Sequence, residues 1–297
     1  MSIVLILFLS ALVLYGLTLF RGLRRDVAAE GPAEPAGKRR IPTSGRDDGE
    51  RANADPLLGA ALVVHAFTLL WPWFTDVFHF GFAYLLSASV WIATMLIWFE
   101  SRRVGLGRLP TLLAGLAMLV VMLPQIFPGQ AFLLDEQAPL FVPHLVVGTL
   151  AYGTAFMAAL QALLMAAAEH RLHPRRTERA GGGLTALLAR GHQSLPPLMV
   201  LERILFQVIS VAFVLLLLTT LSGAFFSEEI FGKPLPLDHK TVFSLVATVF
   251  FGLLLLGRWL WGWRGRLAIR LTLGGFILLL LSYVGSRFVM EVILQRI

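Results

Sequence analysis

Eight apolar runs dominate the chain, each near the roughly 20 residues that a helix needs to cross a bilayer core. They cover residues 2–20, 57–74, 80–99, 109–127, 140–168, 204–226, 241–261 and 267–290. Backbone polar groups in lipid must be satisfied within the protein, so eight such runs dictate helices packed on helices. The predicted fold is all-α: a polytopic transmembrane helical bundle of about eight spans. Composition agrees. Charged residues are 14% of the 297 and hydrophobic residues 57%, against roughly 25% charged in soluble domains. That leaves too little polar surface to coat a water-soluble globule, and little chain for a separate soluble domain.

The formal charge of +7 would suggest nucleic acid in a soluble protein. Its distribution points elsewhere. Of the 25 Lys and Arg, 21 follow spans 1, 3, 5 and 7, and four (Lys233, Lys240, Arg287 and Arg296) fall on the other side. The positive-inside rule then places both termini outside, and no nucleic-acid partner is expected. Span 1 has no basic residue before it and no small-residue cleavage site, so it reads as an N-out helix and not a cleaved signal peptide. Residues 21–56 mix Gly, Pro, Ala and both charge signs and read as a disordered cytoplasmic linker. The domain reading is 1–56, an N-terminal helix with its linker, and 57–297, a seven-helix membrane core. Residues 169–197 are basic, with a Gly181–Gly183 hinge, and suit a short interfacial helix.

There are no cysteines, which removes disulfides, thiolate metal sites and thioether haem attachment. Six of the seven Trp (Trp71, Trp73, Trp98, Trp259, Trp261 and Trp263) lie near span ends, as in an aromatic belt; Trp91 is mid-span. Ala151, Ala155 and Ala159 form a small-residue stripe suited to close helix packing, and Ser282 and Ser286 begin another.

Among the seven histidines, His170, His173 and His192 lie among arginines with no further ligand to complete a metal site. His79 falls in a tight outer turn. His65 lies well inside span 2, where an ionisable group is costly and faces the bundle interior. It is either a neutral imidazole bonded to a neighbouring helix or an intramembrane cofactor ligand or relay. His144 opens span 5 and His239 immediately precedes span 7, both on the outer side. Two imidazoles at one level can ligate one haem iron from opposite sides, which makes His144 and His239 hypothetical metal ligands. Lys240 and Arg287 lie at the same level and could pair with propionates; Arg287 could instead pair with Glu291 on its own helix. No G-x-S-x-G, H-E-x-x-H or Walker A motif is present, and no enzyme activity is expected. No carboxylate sits at a midplane, as a proton- or ion-coupled transporter would require.

Several runs together resemble the cytochrome c assembly protein family, the CcsA-type haem-handling membrane proteins, and in particular its shorter YpjD/HemX-like branch. They are Leu195-Pro196-Pro197-Leu198-Met199-Val200-Leu201-Glu202-Arg203, Leu221-Ser222-Gly223-Ala224, Asp238-His239-Lys240-Thr241, Gly262-Trp263-Arg264-Gly265-Arg266, Gly275-Phe276 and Ser282-Tyr283-Val284-Gly285-Ser286-Arg287. Val142-Pro143-His144-Leu145 and Ala151-Tyr152 add a piece in span 5. The resemblance covers most of residues 140–290; the first half matches mainly by topology. It implies a bacterial inner-membrane protein that presents haem on the outer face for cytochrome c maturation, with His144 matching the first outer histidine. Asp238, Lys240 and Thr241 fall on part of the family's W-x-W-D-P-K-E-T run. The loop 227–239 has no Trp, and no histidine occupies Leu255-Leu256-Gly257-Arg258, where the family carries one. His239 stands where the full-length family has Pro.

The expected function is therefore binding or handling of haem near the periplasmic face, through His144, His239, Lys240, Arg287 and His65. The partners are the lipid bilayer and other cytochrome c biogenesis or membrane proteins. The alternatives are a haem-free accessory or regulatory protein, HemX-like, and, ranked last, a small-molecule permease. A permease would carry broken helices at the midplane, whereas Pro124, Pro128, Pro139 and Pro143 lie near outer span ends.

Overall fold

The computed structural model describes residues 3–29, 55–75, 77–103, 106, 108–133, 141–172, 197–231 and 239–294. Among the described residues eight helical segments are long and apolar enough to cross a membrane, in the order read from the sequence, three of them only with the turns that prolong them (Pro56–Phe74, Leu109–Ile126 and Arg266–Phe288). They are α1 (Ile3–Ala29), α2 (Pro56–Leu70), α3 (Phe82–Glu100), α4 (Leu109–Val120), α5 (Phe141–Leu172), α6 (Leu198–Phe231), α7 (His239–Trp261) and α8 (Arg266–Leu280). A further turn, Leu123–Ile126, prolongs α4, and α8 continues through π-helical turns at Leu281–Gly285 and Val289–Ile293. The linker reading of residues 21–56 is corrected at its start, because α1 continues as helix to Ala29; residues 30–54 and most of the interfacial-helix reading lie outside those described.

Local chemistry sets the helix ends. Asp55 caps α2, its Oδ1 accepting from the Leu57 amide at 3.0 Å, and Pro56 takes the first helical position, where no amide hydrogen is needed. The turn between α7 and α8 uses Gly262 and Gly265 at φ of +65° and +58°, a region that glycine alone enters without strain.

The bundle has two halves joined by α5. One half is a ring: α5 packs on α6, α6 on α7, α7 on α8 and α8 back on α5. Its core is built from Ala151, Ala155, Ala158 and Ala162 of α5 against Leu205, Ile209 and Ala212 of α6, Phe251 of α7 and Leu279 of α8. The small-residue stripe thus does what its spacing predicts and lets neighbouring backbones approach. In the other half α1 lies against α2 and α4, with Tyr15 buried among Leu58, Ala61, Val90 and Ala117. The halves meet where α3 packs on α5: a Cβ added at Gly153 would fall 2.6 Å from Ile92.

One element escapes the sequence reading. The outer turn after span 2 is a 3-10 turn, Trp71–Phe74, leading into β1 (Val77–Phe80). β1 pairs antiparallel with β2 (Gln130–Leu133), Val77 facing Leu133 and Phe80 facing Gln130. Alternation points Phe78 and Phe80 inward and leaves Val77 and His79 exposed. The ribbon caps one end of the bundle.

Candidate functional site

That capped end carries the sequence-predicted residues apart from His65. Beneath the ribbon, Phe78 and Phe80 pack on Tyr84 with ring centroids 5.3 and 5.4 Å away. Trp73 donates its indole hydrogen to Tyr84 Oη (3.0 Å), and Tyr84 donates to the Leu69 carbonyl (2.9 Å). Phe80 also reaches Tyr283 of the first π-helical turn, at 5.8 Å. Leu145, Tyr152 and Tyr283 pack against this aromatic cluster, so the first turn of α5 and the end of α8 share one wall.

His144 sits in that first turn, half-buried. Its Nδ1 lies 3.0 Å from Ser222 Oγ on α6, and the Ser222 hydroxyl donates to the Thr219 carbonyl at 3.1 Å. The ring also bonds the Thr219 backbone, so α6 holds the imidazole at two neighbouring points. An orienting bond of this kind is how ligating imidazoles are held. Gly223 makes the approach possible: a Cβ there would stand 3.1 Å from His144 Cε1.

Lys240 and Arg287 are brought together around Tyr283. Lys240 Nζ lies 5.9 Å, and the Arg287 guanidinium carbon 5.7 Å, from the Tyr283 ring centroid. Arg287 Nε is buried with no hydrogen-bond partner among the described residues. Ser282 donates to the Lys240 carbonyl (2.8 Å), tying α8 to α7, and Tyr152 donates to the Leu279 carbonyl (2.7 Å), tying α5 to α8. π-Helical turns of the kind that carries Ser282 and Tyr283 recur at functional sites.

His239 is the exposed first residue of α7. It shares this end with His144, but their helices are not neighbours in the ring: α5 borders α6 and α8, and α7 stands across from it. Among the described residues no three His, Cys, Asp or Glu side chains gather as a metal site; two axial imidazoles need no such group.

His65 lies apart, in the other half of the bundle. It is fully buried, with Nδ1 3.0 Å from Tyr15 Oη of α1 and Nε2 3.0 Å from Ser87 Oγ of α3. Of its two sequence readings, the bonded imidazole describes this geometry; a ligand role would require exchanging one of those bonds. Sequence reasoning missed the Tyr15 and Ser87 partners because neither stands out on an apolar helix. It also read Trp98 only as a belt residue, whereas its indole donates to the Asp55 carbonyl at 3.1 Å.

The opposite end is a band of ion pairs across helices. Arg258 of α7 bonds Glu202 of α6, Arg264 approaches the same carboxylate at 3.5 Å, and Arg266 of α8 meets Glu169 of α5 at 2.5 Å.

The chain matches the family described as Cytochrome C assembly protein over residues 55–294. It is 31% identical over 205 residues to the inner membrane protein YpjD of Escherichia coli (strain K12), covering 69% of this chain and 72% of that protein. It is 31% identical over 116 residues to the cytochrome c biogenesis protein CcsA of Microcystis aeruginosa, covering 36% of this chain and 35% of that one. No solved structure matches the chain.

Proposed function

Because the chain belongs to the cytochrome c assembly protein family, we propose that it binds or hands on haem at the capped end of the bundle, in the service of cytochrome c biogenesis. The observation that carries this reading is the arrangement around Tyr283 and Ser222. An imidazole set against Ser222 and two cations, one with a buried guanidinium nitrogen that has no hydrogen-bond partner among the described residues, share one aromatic-walled end. That donor set suits haem. His144 and His239 would hold the haem iron through imidazole nitrogens, while Lys240 and Arg287 would take the propionates, which bind cations strongly at low dielectric. Bound haem would supply the iron; the chain's residues bind and orient it and keep water from it, with no side-chain catalysis.

The capped end is assigned to the periplasmic face of a bacterial inner membrane. The reading is supported by the 21 basic residues that fall toward the other face and by the likeness to an inner membrane protein. Other cytochrome c biogenesis proteins are the proposed partners. The test is a Soret band and a pyridine haemochrome from detergent-purified, haem-supplied protein. The expected result is a band that weakens in His144→Ala and again in Arg287→Gln. A folded, haem-supplied sample without Soret absorbance overturns the reading. It would favour a haem-free accessory role, to which the separation of α5 from α7 also lends support.

A further inference from the structure

On the flank of the other half of the bundle, the seam between α2 and α3 opens into a groove of about 580 Å³. It runs the whole length of α2, from Pro56 to Leu70, along the face that meets lipid: Val63, Phe67 and Leu70 beside it are more than half exposed. Gly59, Ala60 and Ala66 contribute only small side chains, and Trp91, Met95 and Trp98 of α3 form a wall.

The wall is held in place. Trp91 and Trp98, two turns apart, donate to the carbonyls of Leu62 and Asp55, equally far apart on α2, at 2.8 and 3.1 Å. Gly59 leaves the room this needs, since a Cβ there would lie 2.7 Å from Trp98 Cζ2. The groove therefore exists before anything enters it, and apolar side chains line it throughout.

Its mouth at the Pro56 end is cationic. The Arg102 guanidinium lies 3.8 Å over the Trp98 ring centroid and is exposed. Arg103 beside it is exposed, and Arg25 of α1 reaches the same corner, 3.9 Å from Asp55 Oδ2. The carboxylates here are Asp55, already engaged by the Leu57 amide and Arg25, and the partly buried Glu100. Among the described residues, three guanidiniums thus stand against two carboxylates.

We propose that this groove is a binding site for one anionic phospholipid, with an acyl chain lying along α2 and the phosphate against Arg102, flanked by Arg25 and Arg103. A long apolar groove with charge at one end fits a linear chain bearing an anionic head. Apolar contact alone does not select among lipids, because acyl chains are as apolar as the groove. Selectivity comes from the arginines, each of which favours an anionic over a zwitterionic headgroup by about fivefold near a membrane surface.

Native mass spectrometry of the full chain, released from micelles carrying equal phosphatidylglycerol and phosphatidylcholine, tests this. The wild type is expected to retain one phosphatidylglycerol in preference. Arg102→Gln should cut that preference about fivefold. Ala60→Phe, a change at an exposed position that fills the channel, should abolish the adduct, while Leu119→Phe on the exposed face of α4 should leave it intact. Equal retention of both lipids by the wild type, or an adduct that survives Ala60→Phe, overturns the proposal. So does recovery of a neutral isoprenoid in place of a phospholipid.

Discussion

Tyr15 and His65 meet 3.0 Å apart, hydroxyl to imidazole, and both side chains are fully buried at the centre of the α1–α2–α3 half. The second ring nitrogen is taken by Ser87, so one imidazole joins three helices. Polar groups in an apolar interior favour the arrangement that pairs them and penalise every other. This contact therefore fixes how α1 docks, although the surrounding surface is almost wholly apolar.

Tyr15→Phe removes one partner and leaves a ring nitrogen unpaired. The expected cost is about 1–3 kcal/mol, read as a lower melting temperature of the purified protein in detergent. The double change Tyr15→Phe with His65→Leu should cost less than the sum of the two single changes, because the Tyr15–His65 bond can be lost only once and Ser87 alone is left to find a new partner. An unchanged melt for Tyr15→Phe would remove this role.

Gly153 sets the distance between the two halves. A Cβ there meets Ile92 at 2.6 Å. Gly153→Val should push α3 from α5 at a cost of about 1–3 kcal/mol, the usual range for overpacking. Trimming the opposing side chain in Gly153→Val with Ile92→Ala should recover part of it, checked by the same thermal melts.

The Glu202–Arg258 pair joins α6 to α7 at the basic end, with Glu202 mostly buried. Glu202→Gln and Arg258→Gln should each lower stability, since each leaves the partner without its charge. Exchanging the two residues should restore part of the loss, and a double-mutant cycle measures the coupling.

Gly223→Ala tests whether the orientation of His144 matters. The added methyl would crowd Cε1 at 3.1 Å and displace the ring from Ser222. Haem retention should fall, though less than in His144→Ala. Gly148→Ala, whose Cβ would make only an ordinary 3.5 Å contact with Thr219, should leave retention unchanged.

Much of this was legible in the chain. Span number and position follow from length and hydropathy, which are local properties; each of the eight runs is a helix, though the first helix runs on to Ala29 and the sixth extends past its run at both ends. The buried Ala stripe of α5 and the inward His65 were equally readable. The cap was not. Val77–Phe80 and Gln130–Leu133 are four residues each and lie on either side of two spans, so neither reads as a strand without its partner.

The sequence by itself determined that this is a bundle of membrane helices, that its motifs resemble the cytochrome c assembly family, and which few polar residues could bear a function. Only the tertiary structure decided which of them meet. It gathered Lys240 and Arg287 around Tyr283, set His144 on Ser222, kept α5 and α7 apart, and gave His65 to Tyr15 and Ser87. The physical reason is that a helix in lipid is apolar on all sides. Its hydrophobicity does not say which face turns inward, and that choice falls to small residues, close packing and a handful of hydrogen bonds between helices.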